Sequence, residues 1–239
     1  IIGRLQKKSN LKLINSGVDG MSILGHINSF ELWFDKIDNF KPKYYIFYIG
    51  VNDPYLLGKK QVRSVDLLTE SSSSAKIREY LESNSFFYKK FRVAKTILFL
   101  KFDFKKGANQ VNKKTKVYGE RESLDFVTYS EFSNKNSSNE NFEKIYTRYL
   151  EELTKKVKQR NSEVIYIPQI TGNGMNKKMY SINKSIIKHC NKFNLICYNL
   201  PQELDLSSDD FYDWSHLNKK GSQKVANYFY EKLKNIINQ

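Results

Sequence analysis

Cysteine is scarce in this 239-residue sequence, with Cys190 and Cys197 the only two. That excludes the disulfide framework of a small secreted scaffold, and no paired spacing marks a zinc site. The two are expected as buried thiols, and no metal ligand set is expected. Long apolar runs are missing too: none reaches the roughly 20 residues a membrane-spanning helix needs, and the first residues carry no signal-peptide pattern. The sequence begins at Ile1 without methionine, part-way through what reads as an element, so any localisation signal is expected upstream. Acidic residues are in the minority, 25 against 40 Lys and Arg, for a net charge of +15. Such a balance admits a nucleic-acid or anionic-membrane partner. No nucleic-acid module accompanies it, however, and the basic residues are scattered, so a lysine-rich solvated surface is expected. The denser cluster Lys89, Lys90, Arg92, Lys95, Lys101, Lys105, Lys106, Lys113, Lys114 and Lys116 is the exception, suited to an acidic substrate or a membrane surface.

What the sequence does have is a core. Its 40% hydrophobic and 14% aromatic content fits a packed globule, and the length suits one α/β domain. The most strand-like stretch is Tyr44-Tyr45-Ile46-Phe47-Tyr48-Ile49, an aromatic and β-branched run that ends abruptly in Gly50-Val51-Asn52-Asp53. A run of that composition reads as a strand buried on both faces, and its polar end is where open α/β sheets bind ligands.

Residues 1–9 read as the tail of a helix, and Leu11–Asn15 alternates as a short strand would, followed by a loop with Gly17 and Gly20. Ile23, Ile27, Phe30, Phe34 and Ile37 recur at helical spacing before Pro42 and the strand at 44–49. Ser85 is placed to cap a helix starting at Phe86. Residues 104–140 are polar and weakly periodic, an excursion from the core expected to be mobile or partly disordered. Beyond them, Phe142, Ile145, Tyr149, Leu153 and Val157 mark a helix, Glu163–Pro168 a strand, and Met179, Ile182, Ile186, Cys190 and Phe193 a second helix. A strand at Leu195–Asn199 follows, and a last helix starts near Gly221, burying Val225, Phe229, Leu233 and Ile236. Strand and helix alternating in this way imply a parallel sheet with helices on both faces.

The chemistry-bearing signal is Asp213-Trp214-Ser215-His216-Leu217 before the last helix. A carboxylate three residues ahead of a histidine can hold one ring nitrogen and leave the other as a general base. The same spacing also fits a helix N-terminal capping arrangement. His26 and His189 fall in helical stretches, where a surface or packing role is expected.

Asn15 to Gly20, Gly50-Val51-Asn52-Asp53 and Asp213-x-x-His216, in this order along essentially the whole chain, resemble the SGNH (GDSL-type) hydrolase family, especially members found beside bacterial surface-polysaccharide genes. The resemblance implies a three-layer α/β/α, flavodoxin-like fold with sheet order 2-1-3-4-5, no cofactor and no metal. It implies that Gly20 and Asn52 line an oxyanion hole, that His216 is the base, and that Asp213 orients it. For Asp53 a purely structural role is expected. The family's nucleophile block has no counterpart in residues 1–15, and Ser9, Ser22 and Ser215 do not supply one. The nucleophilic serine and the first strand are therefore expected upstream, with residues 1–239 forming the rest of a single domain. Lacking that strand between 11–15 and 44–49, the chain is expected to be poorly stable or to pair those two strands abnormally. The activity implied is a serine esterase or O-acyltransferase on a carbohydrate or small-molecule ester, in the bacterial cytoplasm or cell envelope. The alternatives are a non-catalytic carbohydrate-binding relative and a basic nucleic-acid or membrane-surface protein.

Overall fold

The computed structural model describes residues 1–6, 12–18, 20–57, 126–135 and 140–237, which fall within one compact unit. At its centre, β1 (Tyr44–Ile49) pairs in parallel with β2 (Glu163–Pro168), Tyr44 opposite Glu163 and Ile49 opposite Pro168. β2 pairs on its other side with the two-residue β3 (Ile196–Cys197), giving the order β1-β2-β3. Among the described residues no strand covers the other edge of β1.

Alternation along β1 sends Tyr45, Phe47 and Ile49 to one face and Tyr44, Ile46 and Tyr48 to the other. The first face meets α2 (Ile23–Leu32), with Phe30 against Tyr45 and the His26 ring edge-on to Phe47. α4 (Glu140–Lys158) packs beside α2, and α5 (Lys177–Phe193) packs on α4, both against β2. The opposite face meets α7 (Lys219–Ile237): Phe229 stacks edge-on to Tyr48, and the Tyr44 hydroxyl reaches the Ile236 carbonyl. The short α1 (Ile2–Gln6) packs on α7 as well. Helices on both faces of a parallel sheet make the three-layer α/β/α architecture. Each fully buried side chain of this core, such as Phe30, Leu150, Ile165 or Ile186, contributes about 1.5–3 kcal/mol.

The helices form where propensity, caps and stripe agree. α4 buries Phe142, Tyr146, Leu150, Leu153 and Val157, with Glu140 and Glu143 in its first turn and Lys155, Lys156 and Lys158 in its last, each favourable to the dipole. α5 is capped by Asn176, whose side chain accepts from the Lys178 and Met179 N–H groups at 3.0 and 3.1 Å. It stops at Asn194, which takes the left-handed conformation with φ of 50°. α3 (Tyr129–Lys135) lays the rings of Tyr129 and Phe132 on Tyr180 of α5, and the single-turn α6 (Leu200–Glu203) follows β3.

Several expectations are corrected. Residues 12–18 form no strand, Ile14 is 70% exposed, and the Leu13 carbonyl accepts from the Gln6 side chain in place of a ladder partner. Among the described residues no strand lies beside this stretch, and it does not pair with β1. Cys190 and Cys197 are not free thiols but a disulfide: the turn at Asn194 brings their Cα atoms to 6.1 Å, within bridging range. On α4 the buried face runs through Tyr146 and Leu150, leaving Tyr149 half-buried and Ile145 exposed; on α5 the terminal Phe193 is exposed. α2 ends at Leu32, so Ile37 lies beyond it and is exposed. The strand expected over 195–199 shrinks to two residues. Part of the supposed excursion is packed: Met175 N–H donates to the Val127 carbonyl at 2.7 Å, and α3 follows. The remainder of 104–140 apart from residue 140, the helix expected from Phe86, the basic cluster at 89–116 and residues 7–11 lie outside the described residues.

Candidate active site

Because β1 and β2 run parallel and end level, the loops that follow them, Gly50–Asp53 and Gln169–Gly172, emerge side by side at the carboxyl edge of the sheet. Gly50 has φ of 133°, a conformation closed to side-chain-bearing residues, and its carbonyl accepts from the Asp53 N–H at 3.1 Å. The turn aims its next three residues differently. Val51 N–H donates to the Gln169 side-chain oxygen at 2.9 Å. Asn52 donates one amide N–H to the Met21 carbonyl at 3.3 Å and retains a second. Asp53, 1% exposed, accepts from the Ile23 N–H at 2.7 Å and from the Tyr146 hydroxyl. Its carboxylate thus sits at the positive N-terminus of α2, and burial, together with that charge, holds the Tyr146 phenol well above its ordinary range.

Asp53 therefore has the structural role expected of it: it fixes the start of α2, and with it the loop that carries Gly20 and Met21. Gly20 itself has φ of 77°, in the left-handed region. The Asn52–Met21 bond ties the Asn52 side chain to the residue that follows Gly20.

Asp213 and His216 come together in a tight turn after β3. The His216 ring Nδ1 lies 2.8 Å from Asp213 Oδ2, and the other carboxylate oxygen accepts the Ser215 and His216 backbone N–H groups at 2.8 Å each. Asp213 thus caps this turn and orients the ring at once. Partial burial pushes the Asp213 carboxyl up, but the hydrogen bonds from Ser215 and His216 outweigh it and bring it down to about 2. An ionised carboxylate only accepts, so Nδ1 carries the proton and Nε2 presents its lone pair. The His216 side chain is 65% exposed, open to a substrate.

Three supports hold this turn. Trp214 O accepts from the Gly172 N–H at 2.7 Å. Tyr212 N–H donates to the His216 carbonyl at 2.7 Å. The fully buried Asp210 is paired with Lys224 at 2.8 Å. Gly172 is needed for the first: a Cβ there would lie 2.3 Å from the Asp213 carbonyl oxygen.

A cavity of about 280 Å³ opens beside the ring, lined among others by Tyr48, Val51, Gln169, Phe211 and His216. Val51 and His216 share this wall, so the end of β1 and the 213–216 turn meet on one cavity, while Gly20 and Asn52 are not among its lining residues. Gln169 and Gly172 had no part in the sequence reading. Their one signal is position: a glutamine and a glycine directly after a buried strand, on the edge where parallel sheets bind ligands. His26 packs against the sheet and His189 is buried within the core. Among the described residues no group of three or more His, Cys, Asp or Glu side chains is placed to hold a metal ion, and no helix is long and apolar enough to cross a membrane.

The family model for GDSL-like lipase/acylhydrolase matches residues 1–229. The chain belongs to that family. No curated protein and no solved structure matches it. The parallel order β1-β2-β3 with helices on both faces agrees with the α/β fold of that family.

Proposed function

We propose that the protein is a serine-type acyl hydrolase, or an O-acyltransferase, acting on an ester of a carbohydrate or another small molecule. Membership of the GDSL-like lipase/acylhydrolase family supports the acyl chemistry. The observation that carries the finer reading is the Asp213–His216 pair, with Nδ1 held at 2.8 Å on an exposed ring that lines the cavity. In this reading His216 Nε2 takes the proton of a serine hydroxyl as the hydroxyl attacks the acyl carbonyl. Asp213 stabilises the imidazolium that forms. Asn52, with its second amide N–H, and the Gly20 backbone donate to the oxyanion of the tetrahedral intermediate. Collapse of that intermediate expels the alcohol, which takes the proton from His216, and water or an acceptor hydroxyl then releases the acyl group.

In this reading the nucleophilic serine lies outside the described residues, because the family's nucleophile block has no counterpart in residues 1–15. Ser215, whose hydroxyl does contact the ring, sits 3.1 Å from Nδ1, the nitrogen the acid holds, and is on the wrong side to give up a proton to Nε2. In the full-length protein, p-nitrophenyl acetate is hydrolysed and a fluorophosphonate probe labels one serine. His216→Ala lowers kcat by several orders of magnitude, and Asn52→Ala by about 10²–10³. Undiminished turnover in His216→Ala sinks the assignment, and labelling of no serine in the active protein removes the covalent step.

A further inference from the structure

The Gln169 side chain is tethered by one end only. Its oxygen accepts from the Val51 N–H at 2.9 Å. A backbone N–H can only donate, so the atom facing Val51 must be the carboxamide oxygen, and the –NH2 group points away from it. Among the described residues nothing accepts from that –NH2 group, yet Gln169 lines the same cavity as His216. A second feature of the cavity bears on what enters. The chain carries +15, but no Lys, Arg, Asp or Glu side chain is among the described residues that line this wall; Tyr48, Val51, Ile170, Phe211 and Leu217 share it with the polar Gln169, Ser215, His216 and Ser222. An ionised group placed there would lose water without gaining a counter-charge. The volume, about 280 Å³, is at the small end of the range for small-molecule sites.

We infer that Gln169 is a substrate-contacting residue, its carboxamide N–H donating to an uncharged oxygen of the substrate, and that the cavity selects a small neutral acyl ester over an anionic one. The Val51 tether fixes the donor's direction, so the bond costs little ordering entropy on binding. The same tether couples the donor to the turn that carries Asn52, so the contact and the oxyanion donor move together. This inference rests on the acyl-transfer reading for its substrate class, but not for its test.

Gln169→Glu separates the two ends of the side chain: a carboxylate still accepts from Val51 N–H, while the donor toward the cavity becomes an acceptor. The probes are p-nitrophenyl acetate for turnover and 4-nitroacetanilide, a neutral amide analogue, for binding by ligand-observed NMR, both with the full-length protein. Gln169→Glu is expected to weaken anilide binding and raise the KM for the acetate about tenfold, in a protein that still unfolds cooperatively above the assay temperature. Gln169→Leu, which also removes the tether, should weaken binding equally and lower kcat in addition. Wild-type affinity for the anilide in Gln169→Glu overturns the inference, as does failure of the anilide to bind the wild-type protein. Loss of binding in Gln169→Glu, in a protein that turns over no ester, upholds the contact and rejects the acyl-transfer reading instead.

Discussion

Gly172→Ala tests the geometry of the site at a residue that has no chemistry of its own. The added Cβ would stand 2.3 Å from the Asp213 carbonyl oxygen and 3.1 Å from Phe211 Cβ. Neither neighbour is the free end of a flexible chain: one is backbone and the other is held in the core. The strands beneath are packed, so the turn at 211–216 must give way, by the better part of an ångström. Overpacking of this kind costs about 1–3 kcal/mol, a fall of roughly 2–12 °C in melting temperature for a chain of this size. The effect on rate should exceed what stability alone explains. Displacing the carboxylate carries the His216 ring with it, and a misplacement near 1 Å costs about a hundredfold in kcat, or about 2.7 kcal/mol. The assay is p-nitrophenyl acetate hydrolysis by the full-length protein well below its melting temperature, beside a thermal melt. Gly3→Ala is the control, since a Cβ there meets nothing within 4 Å. A Gly172→Ala protein with wild-type kcat would refute the claim that this glycine sets the position of the acid–base pair.

Two further outcomes concern stability alone. Replacing Cys190 and Cys197 together by serine removes a short covalent loop and should lower unfolding free energy by about 2 kcal/mol, read as a lower urea midpoint; an unchanged midpoint under non-reducing conditions would mean that the bridge contributes nothing. Burial is the main influence pushing the His189 imidazole down, to about 4 from an ordinary 6.5, with Glu151 raising and Lys192 lowering it. Between those two values the unfolded chain binds the extra proton and the folded one does not. Stability should therefore fall as pH drops from about 6.5 to about 4, by at most about 1.4 kcal/mol per pH unit from this group. His189→Gln should flatten that part of the profile of urea midpoint against pH; an identical slope in the variant would show that another group is responsible.

What could be read from the sequence, and what could not, divides by the range of the interactions. β1 and β2 are legible because a run buried on both faces is written in consecutive residues, and α5 and α7 because their apolar stripes and ends are local. Asp213 and His216 are legible for the same reason: three residues of chain suffice to bring a carboxylate to a ring nitrogen. The supposed strand at 11–15 has the right alternation, but whether it becomes a strand depends on a partner elsewhere, and the Gln6 side chain takes the Leu13 carbonyl. The disulfide depends on the left-handed turn at Asn194, which folds the chain back after α5. Gln169 and Gly172 are invisible until β2 is known to lie beside β1, because their partners, Val51 and the turn at 213–216, are 118 residues away in the one case and across the sheet edge in the other.

The register of β1 against β2 is consequently the one long-range fact on which the site depends. With Ile49 opposite Pro168, the Gly50 turn and the Gln169–Gly172 loop leave the sheet at the same level. From that level two separate chains of contact run outward. One goes from Asp53 to the N-terminus of α2 and the Gly20–Met21 loop, where Asn52 is tied, and so positions the proposed oxyanion donors. The other goes from Gly172 to Trp214 and so positions the turn of Asp213 and His216. The Val51–Gln169 bond is the cross-tie between them. A slip of one residue in a parallel pair would turn Ile165 and Ile167 from one layer of the core toward the other. It would also pull Gln169 away from Val51 and lengthen the path from donors to base. The packing that stabilises the sheet and the geometry that the proposed chemistry needs are therefore enforced by the same pairing, since both the Gly50 turn and the Gln169–Gly172 loop hang from it.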